Sequence, residues 1–158
     1  MKLLRGKHRN ALENDEVEMV RTDRSVELFV PLGDANDQLV CWVCFAYGTS
    51  DPLVADLSIR SPSRAPVIER TILRSDLRRF VRAGGEMPGL SIERRPDGNH
   101  VTISFTEGEL AIPAVIPASA VARYLSAAEE LVSFDPRDEA RAVDQVFAEL
   151  VKGSAPRT

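Results

Sequence analysis

Cysteine, histidine and aromatic residues are scarce in this sequence, and each shortage removes a class of function. Two cysteines and two histidines in 158 residues cannot build a disulfide framework or a cysteine-only zinc site. One tryptophan, two tyrosines and six phenylalanines leave few rings to stack single-stranded bases once a core is filled. Positive charge is not in excess: 20 Lys and Arg against 24 Asp and Glu give a net charge of -4, which argues against a general affinity for nucleic acid or anionic membrane. No apolar run reaches the ~18 residues needed to span a bilayer, and the basic start MKLLRGKHRN has no apolar core behind it. The protein is therefore expected in the cytoplasm, without a membrane span. No Gly-rich phosphate cradle follows a strand-like stretch and no Gly-x-Ser-x-Gly elbow occurs, so neither catalysis nor a cofactor is expected.

What the chain does contain is organised around Leu39–Pro52, LVCWVCFAYGTSDP. The uninterrupted apolar run from Leu39 to Tyr47 reads as a strand covered on both faces, and Gly48 to Pro52 are turn formers that stop it. Within the run, Cys41 and Cys44 have the spacing of thiol oxidoreductases and of half a zinc site. Residues three apart in an extended chain point to opposite faces, and His8 and His100 stand in unlike contexts, so the cysteines read as small core residues. Ahead of this strand, Val26, Leu28 and Val30 alternate as a half-buried partner that Pro31 should end. The connecting segment Asp34-Ala35-Asn36-Asp37 is turn chemistry. A helix-loop-helix calcium site would need a bidentate Glu where Phe45 stands.

Further strands are expected over Leu53–Ile59 and Val67–Leu73. A short helix follows, capped by Ser75, with Leu77, Phe80 and Val81 on its buried face, arginines off it, and Gly84-Gly85 as the stop. Leu90–Arg95 and Val101–Phe105 flank a Pro-Asp-Gly-Asn hairpin turn, and Thr106-Glu107-Gly108-Glu109 turns into Leu110–Ile116, where Pro113 implies an edge or a bulge. Two helices close the chain. The first starts at Pro117 with Val121, Tyr124, Leu125, Ala128, Leu131 and Val132 recurring at helical spacing, and the second follows Asp135-Pro136 with Ala140, Val143, Phe147 and Leu150 as its face until Gly153. Adjacent Glu129 and Glu130 point apart on a helix and read as surface residues. The expected fold is α+β and single-domain: about seven mainly antiparallel strands, one helix after the fourth strand and two C-terminal helices. Residues 1–23, basic then acidic with little to bury, are expected as a flexible tail, 24–152 as the domain, and 153–158 as a disordered C-terminus.

This order of elements, with several local strings, resembles the SsgA/SsgB-like sporulation and cell-division regulators of filamentous actinobacteria over roughly Ser25–Val151. The family's Tyr-Asp-Thr-x-Asp-Pro-Tyr segment is similar to Tyr47-Gly48-Thr49-Ser50-Asp51-Pro52-Leu53, sharing Tyr47, Thr49, Asp51 and Pro52. Its Phe-Ala-Arg-Asp-Leu-Leu segment matches Asp76 and Leu77, its Pro-Glu-Gly-Glu turn matches Glu107 and Gly108, and its proline-led helix with a Phe-Leu pair resembles Pro117 through Tyr124-Leu125. The chain departs from the family at Thr71 and at Glu93-Arg94, where the family carries tryptophan and Trp-Pro. The resemblance implies a Whirly-like fold, a homo-oligomer that is a trimer, and a non-enzymatic adaptor role at sporulation septa. There the partners would be the tubulin-like division protein FtsZ or a related SsgA-like protein. The alternative is single-stranded nucleic-acid binding, which relatives of the Whirly architecture perform.

Overall fold

The alternating stretches of the sequence become strands of one mainly antiparallel sheet, seen in a computed structural model that describes residues 9–11, 17–36, 38–133 and 135–154. In chain order they are β1 (Arg9–Ala11), β2 (Glu18–Arg21), β3 (Ser25–Gly33), β4 (Leu39–Gly48), β5 (Val54–Arg60), β6 (Pro66–Leu73), α1 (Arg74–Ala83), β7 (Gly85–Met87), β8 (Leu90–Arg94), β9 (His100–Glu107), β10 (Leu110–Pro117), α2 (Ala118–Leu131) and α3 (Pro136–Ser154). The seven expected strands and three expected helices are all present, in an α+β arrangement, and β1, β2 and β7 are additional. The strands run in the order β6-β5-β4-β3-β1-β10-β9-β8-β7, with β2 also on β3. β2 to β6 form one antiparallel half and β7 to β10 the other. β1 joins them, antiparallel to β3 and parallel to β10.

β4 shows why a continuous apolar run was needed. Cys41, Val43, Phe45 and Tyr47 point into the core that both halves share with α1 and α2. Trp42 and Cys44 lie on the opposite face, as the strand period requires, and the connection after β5 folds over them. There the Trp42 indole N–H donates to the Pro62 carbonyl at 3.2 Å. The Arg64 guanidinium sits 4.3 Å from the Phe29 ring and 4.5 Å from the Trp42 ring. The two cysteines are both buried, are not joined by a disulfide, and are parted by the sheet itself. On the inner side Phe45 packs against Tyr124 of α2 at 5.4 Å. Burial of each such side chain contributes roughly 1.5–3 kcal/mol.

Four local expectations are corrected by the structure. β3 does not end at Pro31 but continues to Gly33. Pro31 falls between the part of β3 paired with β2 and the part paired with β1, where a missing N–H costs least. The segment expected as a tail contains β2: Val17 and Met19 pack on the core, an apolar alternation hidden among charges. The cap of α1 is not Ser75 but Leu73, with no side-chain cap; the helix begins at Arg74, so Ser75 lies inside it and donates to Glu139 of α3 at 2.6 Å. Pro117 is the last residue of β10 and the N-cap of α2 rather than its first helical residue. α3 starts as expected, with the Asp135 carboxylate accepting the Arg137 N–H at 2.9 Å, and runs to Ser154, one residue past Gly153. Pro113 sits just before the stretch of β10 that β1 covers, at a point where β9 alone is beside it.

Candidate functional site

The β4–β5 turn carries four of the residues that the sequence singles out, and the fold treats them unequally. Tyr47 is buried at the end of β4. Its hydroxyl donates to the Pro52 carbonyl at 2.9 Å, closing the turn on itself, and accepts from the Arg74 guanidinium at 3.0 Å. The Arg74 backbone N–H donates to the Leu53 carbonyl at 2.8 Å, which fixes the start of α1 against the turn. The Thr49 N–H donates to the Arg24 carbonyl at 2.9 Å. Asp51 makes turn bonds through its backbone, to Gly48 and Val54. Its side chain is exposed, and among the described residues no hydrogen bond to its carboxylate is found. Beside the turn lies an open depression of about 240 Å³, bounded by Glu27, Ser50, Asp51 and Asp56.

Arg74 makes this turn rigid. Its side chain is only 3% exposed, lies 4.9 Å from the Tyr47 ring centroid, and is ion-paired to Glu129 of α2 at 2.6 Å. Arg78 approaches the same carboxylate at 3.9 Å. Burial pushes the Tyr47 phenol above its ordinary range, with the Arg74 charge pulling the other way. Its proton is therefore held by the Pro52 carbonyl across the neutral range, and the guanidinium is committed to the phenol and Glu129. Such an arrangement has no nucleophile with an adjacent base. What it does is hold Thr49, Ser50 and Asp51 in one orientation at the surface.

The remaining singled-out positions are spread over the molecule. Leu77 is fully buried in the core, and Asp76 pairs with Arg79 at 2.7 Å on the surface of α1. Glu107 and Gly108 form the exposed β9–β10 turn, Gly108 at φ 60°. Near it Arg70 of β6 donates to the Thr106 carbonyl at 2.8 Å and the Gly89 carbonyl at 3.2 Å, tying the two halves together. Pro117 is buried at the other end of that hairpin, where the Ala118 N–H donates to Asn99, and Leu125 packs on the core from α2. Of all these positions, the fold gathers only the β4–β5 turn with the start of α1.

Sequence reading misses the buried Arg74 and the tie that Glu129 makes to it. Arg74 follows an apolar strand and precedes a run of surface arginines, with nothing local to mark it as the buried one. Glu129 keeps 44% of its side chain exposed, as a surface residue does, yet its carboxylate also anchors Arg74, while Glu130 pairs with Arg21 at 2.5 Å between exposed side chains. The only local signal is the position of Glu129 one turn beyond Leu125, on the flank of the buried face.

No family model matches the chain, and no curated protein is detectably similar to it. Solved structures do match. An SsgA-like sporulation-specific cell division protein from Thermobifida fusca superposes with a TM-score of 0.58 at 17% identity, over 82% of this chain and 98% of that one. SsgB, from work on SsgB mutations and longitudinal cell division during sporulation of Streptomyces coelicolor, superposes with a TM-score of 0.56 at 20% identity, over 79% and 95%. These matches span nearly the whole length of the two solved structures and about four-fifths of this chain, and their fold agrees with the resemblance read from the turn motifs. The chain has the fold of the SsgA-like sporulation-specific cell division proteins.

Proposed function

We propose that this protein is a divergent SsgA-like regulator of sporulation-specific cell division, a non-catalytic adaptor that acts through protein contacts. In this reading it takes part in septum-site selection, recruits the tubulin-like division protein FtsZ or a related SsgA-like protein, is found at division septa, and works as a homo-oligomer, for which the resemblance implies a trimer. The observation that carries the reading is the β4–β5 turn, on a fold shared with SsgA-like proteins. Tyr47, Pro52 and Arg74 are consumed in holding it, whereas the Asp51 carboxylate is left facing outward. A rigid surface turn that presents polar side chains suits recognition of a protein and offers nothing for turnover. Against the nucleic-acid alternative, Phe29 and Trp42 are already stacked under the chain's own arginines and cannot stack bases without losing those contacts.

Asp51→Ala tests the reading, because its side chain holds no turn bond and its loss should leave the fold intact. The variant, as a fluorescent fusion in a sporulating actinobacterial host, is expected to melt like the parent and to fail to reach septa. Parental localisation of a stably folded variant would remove Asp51 from the interface. Salt-sensitive binding of the parent to single-stranded DNA, without septal localisation, would overturn the adaptor role altogether.

A further inference from the structure

The outer face of the β2–β6 half holds a cation between two rings. Strand register places Glu18, Phe29, Cys44, Ser58 and Glu69 in one row across that face. Glu27 and Asp56 lie in the row on one side of it, and Trp42 and Arg60 in the row on the other. Phe29 and Trp42 meet edge to face, with ring centroids 6.2 Å apart at 87°, and so form a corner. The Arg64 guanidinium fills it, 4.3 and 4.5 Å from the two centroids, and pairs there with Glu18. Ring faces and a carboxylate are the complement of a planar cation.

Arg64 stands in the corner against its backbone preference. At φ 69° it is the one non-glycine residue with a positive φ among the described residues, at a turn position that suits glycine. The hold of the corner on a guanidinium therefore outweighs that cost. The turn itself does not use the Arg64 side chain. The Arg64 N–H donates to the Ser61 carbonyl at 2.8 Å, and the Ser61 N–H donates to the Ala65 carbonyl at 2.8 Å. The Trp42 indole holds the Pro62 carbonyl, and Arg60 Nη1 donates to the Arg64 carbonyl at 3.3 Å. All of these engage backbone, so the guanidinium leaves the corner without opening the turn, and with 35% of its side chain exposed it has a direct path to solvent.

We propose that Phe29, Trp42 and Glu18 form a guanidinium-binding corner that Arg64 occupies in cis and that an arginine of a partner protein takes in trans. An incoming arginine remakes the contacts it displaces, which neither a base nor an apolar side chain does. Charge selects its sign: on this face Glu18, Glu27, Asp56 and Glu69 outnumber Arg60 and Arg64, so a cationic segment meets a net negative surface. Arginine suits the corner better than lysine, because its planar group stacks on rings while pairing with a carboxylate. Val67, 62% exposed at the bulge opposite Ile59 and Arg60, offers an apolar flank to the residues beside that arginine. Trp42 precedes Gly48 by six residues on β4, roughly 20 Å along the strand, so this corner is separate from the β4–β5 turn. Only the protein nature of the partner rests on the function proposed above.

Trp42 is the single tryptophan of the chain, and its fluorescence reports on the corner. Arg64→Gly empties the corner with a residue that accepts φ 69°, and Arg64→Asn does so with a second residue tolerant of left-handed backbone. Both variants should melt close to the parent, and both should show a saturable shift of Trp42 emission with a blocked Gly-Arg-Gly peptide. The parent should need about tenfold more peptide to reach the same end point, because its own arginine leaves only a small fraction of corners open. The corresponding citrulline peptide, neutral and of nearly the same shape, should give no shift. Loss of the fold in both variants would make Arg64 a structural pin and overturn the proposal. So would the absence of a saturable response, an equal response to the citrulline peptide, or an equal peptide requirement in parent and variants. Oligothymidine that shifts the emission at lower concentration than the arginine peptide would assign the corner to base stacking and overturn it as well. Asp51→Ala should keep the parent's peptide response even where it loses septal localisation, so failure of the corner and failure of the turn are read separately.

Discussion

Glu129 and Glu130 follow one another on α2, yet their removal should have different consequences. Glu129 neutralises a guanidinium that the core has almost completely enclosed, whereas Glu130 and Arg21 meet with both side chains half or more in water. Truncating the first leaves Arg74 charged and desolvated, and partial access of solvent to Glu129 tempers the effect. Glu129→Ala is therefore expected to cost about 1–2 kcal/mol. Glu130→Ala is expected to cost less than about 1 kcal/mol, and to lose most of that in high salt. Urea denaturation of the two variants side by side measures the difference, and equal costs would show that Arg74 does not depend on its partner. Burial divides the aromatic residues in the same way. Tyr47 spends its hydroxyl on Pro52 and Arg74, while the Tyr124 hydroxyl is buried without a hydrogen-bond partner among the described residues and serves the core chiefly through its ring.

At the scale of elements, the turns decide how the strands close on one another. Gly89 precedes β8 at φ 81°, and a Cβ there would stand 2.4 Å from Arg70 Nε, the side chain that bridges β6 to the β7–β10 half. Gly108 shares the left-handed backbone, but no atom of the described residues lies within 4 Å of the same position. Gly108→Ala should therefore cost only the backbone term, about 1 kcal/mol. Gly89→Ala adds displacement of Arg70 and loss of its two carbonyl contacts, for roughly 2–3 kcal/mol in all. Thermal melts of the two variants check the order, and an equal shift would mean that Arg70 relocates without cost. The comparison also bears on the resemblance: if Gly108→Ala were to abolish function at near-native stability, the β9–β10 turn would be a contact and not merely a connection. β2 shows the same logic for a strand, since a short charged segment becomes ordered once β3 offers an edge and the core accepts Met19.

At the scale of the molecule, the buried thiol and phenols set how stability responds to alkali. Burial pushes the Cys44 thiol from 9.0 up to about 11, against the pull of Arg60, and burial raises the phenols of Tyr47 and Tyr124 as well. The unfolded chain ionises at the lower values, so between these limits the folded state holds more protons and stability falls as pH rises. The contribution from Cys44 is intact below about pH 9 and is lost by about pH 11, a change of up to about 2–3 kcal/mol, and the phenols continue the loss above that range. Denaturation midpoints measured from neutral pH upward should show the fall beginning near pH 9 in the parent. In Cys44→Ala the fall should begin higher, after a pH-independent loss for the missing side chain. An unchanged profile in that variant would assign the alkaline sensitivity to the tyrosines.

The sequence by itself determined the α+β character, the seven principal strands, the three helices and the separation of Cys41 from Cys44. All of these follow from periods of two and 3.6 residues and from turn chemistry, which act over a few residues at a time. The motif match at Tyr47, Thr49, Asp51 and Pro52 was legible for the same reason, being one contiguous turn. Only the tertiary structure decided that Arg74 and Glu129 lock that turn, that Arg64 covers Phe29 and Trp42, that Val17 and Met19 draw the supposed tail onto β3, and that the apolar face of α3 looks outward. Each of those outcomes depends on what residues distant in sequence bring, or fail to bring, against the segment. Burial, unlike periodicity, is a property of the neighbours and not of the segment.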